Sequence, residues 1–324
     1  VGGTVKSPSL DSAELFRESG KIAQAIEFLS HYIHGKEKAL KLALMCVFSR
    51  GHLLVEDLPG LGKTTLAIAI AKILGLSFSR IQCTSDLLPS DITGLSIFNR
   101  DKNVFELHPG PIFNHIVLVD EINRATPKTQ SALLEAMGEK QVTLEGKTLQ
   151  LPRPFFVIAT QNPGEHFGTF PLPESQMDRF MMRISIGYPP RSAEREILTG
   201  GSRRRELYGI DPFLHQADVL RIQDIIKDGI HASEKILDYL QDVVHATRTS
   251  RYLAAGLSTR GALALLSTAR ACAYMDGRDF VIPENIKEVA EYVVPHRVLF
   301  REEFNGTDKK EVIESILSGV DVPV

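Results

Sequence analysis

The stretch "HLLVEDLPGLGKTTLAIAIAKILG", residues 52–75, narrows the possible folds more than any other part of the chain. An apolar run stops at a Pro-Gly turn, and "KTTLAIAIAKILG" follows as a helix. A buried strand that feeds a helix through a glycine turn is the context in which backbone amides wrap a polyphosphate. Gly60 and Gly62 free the turn to point its N–H groups inward, and Lys63 is placed to reach the β- and γ-phosphates. Thr64 is placed to offer its hydroxyl to Mg²⁺. The candidate nucleotide cradle is therefore Pro59, Gly60, Leu61, Gly62, Lys63, Thr64 and Thr65. The general pattern G-x-x-x-x-G-K-[ST] has glycine at its first position, where this chain has Asp57. Asp57 lacks the usual glycine's freedom, but aspartate is among the few side chains tolerated near the left-handed region.

Four further runs read as strands: "SFSRIQC" (77–83), "HIVLVDE" (115–121), "PFFVIATQNP" (154–163) and "MMRISIGYP" (181–189). Between and before them lie helical patterns, including "KIAQAIEFLSHYI" (21–33) and "KEKALKLALMCVFSR" (36–50). Strands alternating with helices predict an α/β fold, a parallel sheet flanked by helices, with the chemistry at the carboxyl ends of the strands. "KQVTLEGKTLQLP" (140–152) alternates around Glu145-Gly146 and predicts a hairpin. "YPPRSAE" (188–194) marks a boundary, with Ser192 a candidate N-cap, and beyond it the pattern is helical without strands. Pro283 is placed for the first turn of one of these helices. The expected division is a loose segment 1–20, an α/β core 21–189 and a small all-helical domain 190–324.

Two of the strand runs end in polar residues. "IVLVDE" presents Asp120 and Glu121 at a strand tip. Adjacent carboxylates there fill no core and repel one another. Asp120 suits a metal site, acting through coordinated water, and Glu121 suits a base that polarises an attacking water. Asn162, in "VIATQNP", can hydrogen-bond that water or the γ-phosphate; Asn-Pro also marks turns. With a net charge of −3 the chain has no bulk field for nucleic acid or a membrane surface, and neither is an expected partner. The dense basic run "SRRRE" (202–206) reads as a solvated helix face or loop. Three scattered cysteines, Cys46, Cys83 and Cys272, have no zinc or disulfide spacing, and with no apolar leader in "VGGTVKSPSL" a cytoplasmic location is expected.

Taken together, "EDLPGLGKTTLA", "RIQCTSDLLPSDITG", "HPGPIFNHIVLVDEINRATPKTQSALLEAMGEKQVTLEG", "FFVIATQNP", "FPLPESQMDRF" and "LSTRGALAL" resemble the AAA+ ATPases, and among them the MoxR family. The resemblance spans roughly residues 30 to 300, and the family's loop often carries an acidic residue where the general motif has glycine. It implies a P-loop NTPase core with a helical lid, and ATP and Mg²⁺ as substrate and cofactor. Lys63, Glu121 and Asn162 would be catalytic. Arg179, in "DRF", would be an arginine finger reaching the nucleotide of an adjacent subunit, with Arg124 a second candidate for that contact. Arg260, in "LSTRGALAL", would be a lid arginine touching γ-phosphate within its own subunit; Thr259 stands where the family more often has Pro. "YIHG" resembles the segment that packs on adenine, with Ile33 and Gly35 as contacts.

By the same resemblance, 83–111 is a helix-2 insert and 140–152 a hairpin before the sensor strand; two readings stand for each, a face towards a pore or partner and a decoration of the sheet edge. The implied activity is ATP hydrolysis by a homo-oligomeric ring, expected to be a hexamer. It would act as a chaperone-like maturation factor on a protein client, with a von Willebrand factor A-domain protein as a partner. Two alternatives stand beside it: the ATPase subunit of a magnesium-chelatase-like complex, and a nucleotide-gated scaffold with little turnover.

Overall fold

Apolar periodicity begins earlier than the expected boundary at residue 20. In this computed structural model, which describes residues 16–164, 168–201, 203–304 and 306–323, the first helix, α1 (Arg17–Ser30), starts inside the segment expected to be loose. Ile22, Ala25 and Leu29 form its buried face; ahead of residue 20, Phe16 packs against the same core and Glu18 is buried, which ties down the early start. Residues 1–15 lie outside the described residues. A second helix, α2 (Glu37–Phe48), is buried on nearly every side.

The α/β core follows. β1 (Leu53–Glu56) runs through the glycine turn into α3 (Lys63–Ile73), and β2 (Phe78–Gln82) comes next. The insert expected over 83–111 folds as a short helix, α4 (Pro89–Thr93), and an antiparallel hairpin, β3 (Gly94–Asn99) with β4 (Val104–Pro109). β5 (Ile116–Asp120) leads into α5 (Pro127–Glu139), whose N-cap Thr126 accepts the Thr129 amide at 3.4 Å. The second expected hairpin is β6 (Gln141–Leu144) with β7 (Lys147–Gln150), turning on Glu145 and Gly146 at φ of 48° and 78°. β8 (Phe156–Gln161), the short α6 (Glu174–Met177) and β9 (Met182–Ile184) complete the core.

The five long-range strands pair in the order β2-β5-β8-β1-β9, all parallel. Strand alternation builds a core on each face. Leu53, Val55, Ile116, Leu118 and Ile158 point to the face covered by α2, α3 and the C-terminal helices. Leu54, Val117, Val119, Val157 and Ala159 point to the other, packed under α5. Both faces are covered, so these strands read as continuous apolar runs rather than alternating ones. Burying each such side chain is worth about 1.5–3 kcal/mol before the cost of ordering the chain. The register Val55↔Thr160 and Glu56↔Gln161, with Gln82↔Asp120 beyond, aligns the carboxyl ends of β1, β8, β5 and β2 along one edge.

After Pro190 the chain is mainly helical. α7 (Arg191–Gly200) has Pro190, not Ser192, at its N-cap: the preceding Pro-Pro already sets the extended geometry that a cap needs. A 3₁₀ segment (Arg203–Gly209) and α8 (Gln216–Asp224) lead to the lid helices α9 (Glu234–Thr249), α10 (Thr259–Met275), α11 (Pro283–Val293) and α12 (Lys309–Ser318). Pro283 occupies the first turn of α11, as the sequence predicts. A small antiparallel pair, β10 (Leu253–Ala255) with β11 (Leu299–Phe300), lies in the region expected to hold no strands. Its strands are too short to carry a period-two signal. The lid shares a core with α1 and α2, through residues such as Leu265, Cys272 and Tyr274. Among the described residues, no helix is long and apolar enough to cross a membrane.

Candidate nucleotide site

The loop between β1 and α3 turns on Gly60 and Gly62, at φ of 85° and 89°. A Cβ at either would meet no atom within 4 Å, so conformation rather than space demands glycine. Gly62 caps α3, which therefore directs its positive end at the mouth of the loop. Lys63 Nζ donates to the Asp57 carbonyl at 2.5 Å.

Asp57 does not use the left-handed region: among the described residues, the non-glycine residues at positive φ are Arg50, Asn103, Glu121, Lys140 and Glu145. Its role is carried by the side chain. The buried carboxylate accepts from Ser185 Oγ at 2.9 Å, from the Gly187 amide at 3.2 Å and from the Ile186 amide. Lys36 Nζ closes the cluster by donating to the carbonyls of Ile186, at 3.2 Å, and Gly187. Burial lowers the Lys36 pKa, and Asp57 opposes that shift. Asp57 thus ties the start of the phosphate loop to the chain leaving β9.

Pro59, Gly60, Gly62, Lys63, Thr64 and Thr65 line a cavity of about 320 Å³. Asp120, Glu121, Thr160 and Asn162 line its opposite side. The three chain segments singled out in the sequence therefore converge on one crevice. Asp120 Oδ2 accepts from Arg80 Nε at 2.6 Å, and Oδ1 accepts from Thr160 Oγ1 at 3.2 Å. With both oxygens engaged, Asp120 fits a divalent cation through a metal-bound water rather than by direct ligation, while the Thr64 hydroxyl is the hard-oxygen donor beside Lys63. Glu121 sits just past the end of β5 at φ 57°, a left-handed turn fixed by its amide donating to Thr160 Oγ1 at 3.0 Å. Its Oε2 accepts from Gln82 Nε2 and Arg124 Nη1, both at 3.2 Å. Asn162 Oδ1 accepts the Gly164 amide at 3.2 Å, so this residue both forms the turn and lines the cavity.

A second cavity of about 260 Å³ continues from the first through Gly60, Gly62 and Thr65. Ile33 and Leu61, two of the residues proposed from the sequence as nucleotide contacts, line it. Gly35 does not line it: at φ 69° it packs against Pro190, whose Cδ would lie 2.4 Å from a Cβ there. The run "SRRRE", read from sequence as solvated, places Arg204 in the cavity around Lys63 and Arg203 in the adjoining one. Leu207, four residues after Arg203, is fully buried and pins the segment. Arg80, Gln82 and Thr160 also line the phosphate cavity, and nothing local separates them from the polar positions of an ordinary strand.

Arg260 is not in the phosphate cavity, which corrects the expectation of a contact within its own subunit. It lies 3.6 Å from Asp178 and lines a different cavity, with Arg179, that shares no lining residue with the one around Lys63. The start of α10 is held there by the Asp178 carboxylate, which also receives Arg297 Nε at 2.9 Å. Burial lowers the Arg297 pKa to about 10, which leaves it charged at neutral pH. Arg179 Nη1 donates to the Leu134 carbonyl at 2.8 Å. Arg124 is engaged within its own chain by Glu121.

Comparison with known proteins bears on this arrangement. The family described as "ATPase family associated with various cellular activities (AAA)" matches residues 52–182, and the AAA lid domain matches 245–316. The uncharacterised protein YeaC of Bacillus subtilis is 43% identical over 305 residues, covering 94% of this chain and 95% of that protein. Chaperone MoxR1 of Mycobacterium tuberculosis is 38% identical over 317 residues, covering 92% and 82% respectively. A crystal structure of a protein from Cytophaga hutchinsonii, provisionally described as an ATPase, superposes with a TM-score of 0.89 at 39% identity, covering 96% of this chain and 97% of that one.

Proposed function

Because the chain belongs to the MoxR family of AAA+ ATPases, we propose that it hydrolyses ATP with Mg²⁺ in a ring of its own copies and uses the cycle to remodel a client protein. The observation that carries this reading is the single crevice lined by Lys63, Thr64, Asp120, Glu121 and Asn162. In it Lys63 leaves the Asp57 carbonyl for the terminal phosphates, and the loop amides and the start of α3 hold the rest of the chain of phosphates. Thr64 would hold Mg²⁺ directly and Asp120 through water, and the ion would supply charge neutralisation for the phosphates. Glu121 Oε1 takes a proton from the attacking water, while Gln82 and Arg124 fix the other oxygen. Asn162 orients that water from the adjacent strand end.

Arg179 and Arg260 cannot serve the same chain's crevice from where they sit, so in this reading they serve a neighbour's. A guanidinium there offsets the charge that develops on the transferred phosphoryl group. A scaffold that only binds nucleotide needs neither Glu121 nor Asn162, which favours turnover. The name of the M. tuberculosis relative supports a chaperone-like role. A von Willebrand factor A-domain protein is the partner class to test first, on the resemblance alone.

The test is steady-state ATPase activity against protein concentration, with Glu121→Gln beside the parent chain. Specific activity should rise with concentration, and Glu121→Gln should bind a fluorescent ATP analogue yet lose roughly 100-fold or more in turnover. Normal turnover by Glu121→Gln would remove the assigned base. Specific activity that stays flat from dilute monomer upward would remove the ring.

A further inference from the structure

The cavity that holds Arg179 and Arg260 has about 460 Å³ of space and an excess of positive charge. Five cationic side chains line it against two carboxylates, Asp178 and Glu139. Asp178 is taken up by Arg260 and Arg297, and Arg50 is paired with Asp224. Among the described residues, no carboxylate lies within 4.0 Å of Arg179 or of Lys140.

The backbone at the rim is also unusual. Two helices, α2 and α5, end there, and the left-handed residue that closes each is Arg50, at φ 58°, or Lys140, at φ 54°. Glycine is the residue that takes this conformation without cost. Non-glycine residues held there cluster at sites where position matters, and such an outlier is a reason to look for function. Partial burial, with Arg50 and Arg153 nearby, lowers the Lys140 pKa. Like charges have been gathered here rather than dispersed, although a negative helix end offsets some of the repulsion.

We propose that Lys140 is a further cation, beside Arg179 and Arg260, that this face presents to the terminal phosphates of the nucleotide held by a neighbouring copy. The inference rests on the ring reading above. A concave surface with surplus positive charge fits a polyphosphate, and the phosphate crevice of a second copy supplies one.

The test mixes variants of the full chain. Lys140→Met should bind a fluorescent ATP analogue in its own crevice as the parent does, and lose about tenfold or more in ATPase activity, as for one charge-assisted hydrogen bond. Lys140→Arg should recover most of that loss. Lys63→Ala chains, inactive themselves but with this face intact, should restore turnover when mixed with Lys140→Met chains. Arg179→Ala mixed with Lys63→Ala is the reference. Recovery there but not with Lys140→Met would overturn this proposal alone; recovery in neither would overturn the ring reading and this proposal with it. Parent-like turnover by Lys140→Met would also overturn it. Binding of inorganic tripolyphosphate to dilute monomer, lost in Lys140→Met, would assign the cavity to a free anion and overturn the neighbour's part.

Discussion

The guanidinium of Arg179 fills the space that a side chain on Gly138 would need: a Cβ built there would lie 2.5 Å from Nη1. Gly138 is in α5, where alanine is favoured over glycine by roughly 0.5–1 kcal/mol. Gly138→Ala should therefore melt no lower than the parent, since the end of a flexible side chain can move aside. Moving it displaces Arg179, and ATPase activity at high protein concentration should fall several-fold. Unchanged activity with an unchanged melting temperature would mean that the placement of Arg179 does not matter.

Asp57→Gly restores the general loop pattern and removes the acceptor for three successive residues. It leaves the donors at 185–187, partly shielded from water, and the Lys36 ammonium without their carboxylate. The expected loss is about 2–4 kcal/mol of stability, read by urea denaturation. A variant as stable as the parent would show that the tie between loop and β9 contributes nothing.

Arg204, and not Arg260, lines the crevice of its own chain. Arg204→Ala should weaken ATP binding by dilute protein about fivefold or more, the loss of one charge-assisted contact. Arg260→Ala should leave that affinity unchanged and lose turnover in the assembled state. Equilibrium titration with a fluorescent ATP analogue separates the two, and the reverse pattern would return Arg260 to its own crevice.

His52 gives a pH dependence. It is fully buried: Nδ1 accepts the Val157 amide at 3.0 Å, and Nε2–H donates to the Met137 carbonyl at 3.2 Å. Burial lowers its pKa from 6.5 to about 4. The unfolded chain takes up this proton first, so the contribution is complete above pH 6.5 and is lost as pH falls towards 4. The loss is about 3 kcal/mol from this group. Burial lowers the His296 pKa in the same direction. Melting temperature should fall over that window, and less steeply in His52→Gln; an identical slope in the variant would discount His52.

The fold was largely legible because a doubly covered parallel sheet writes itself as apolar runs. β1, β5 and β8 each announce both their core and their polar tip. Asp120, Glu121 and Asn162 could be read for that reason: each follows directly on such a run. Arg204 could not, since nothing local separates an arginine on a solvated 3₁₀ turn from one folded over a crevice; only the burial of Leu207 decides it. The same holds for Arg260, whose place depends on where α10 docks. The part played by Asp57 was not legible, because the general motif frames position 57 as a backbone problem, whereas the chain uses a side chain whose partners lie some 130 residues away.

Asp57 also fixes how the loop can yield. Its carboxylate is pinned to the strand exit, while Gly60 and Gly62 carry the rotatable bends, so the near end of the loop is stiff and the compliance is all at the far end. An incoming ligand therefore deforms the loop from one side only, like a cantilever, and any push that reaches its root is delivered directly to residues 185–187, where the lid begins to leave the core.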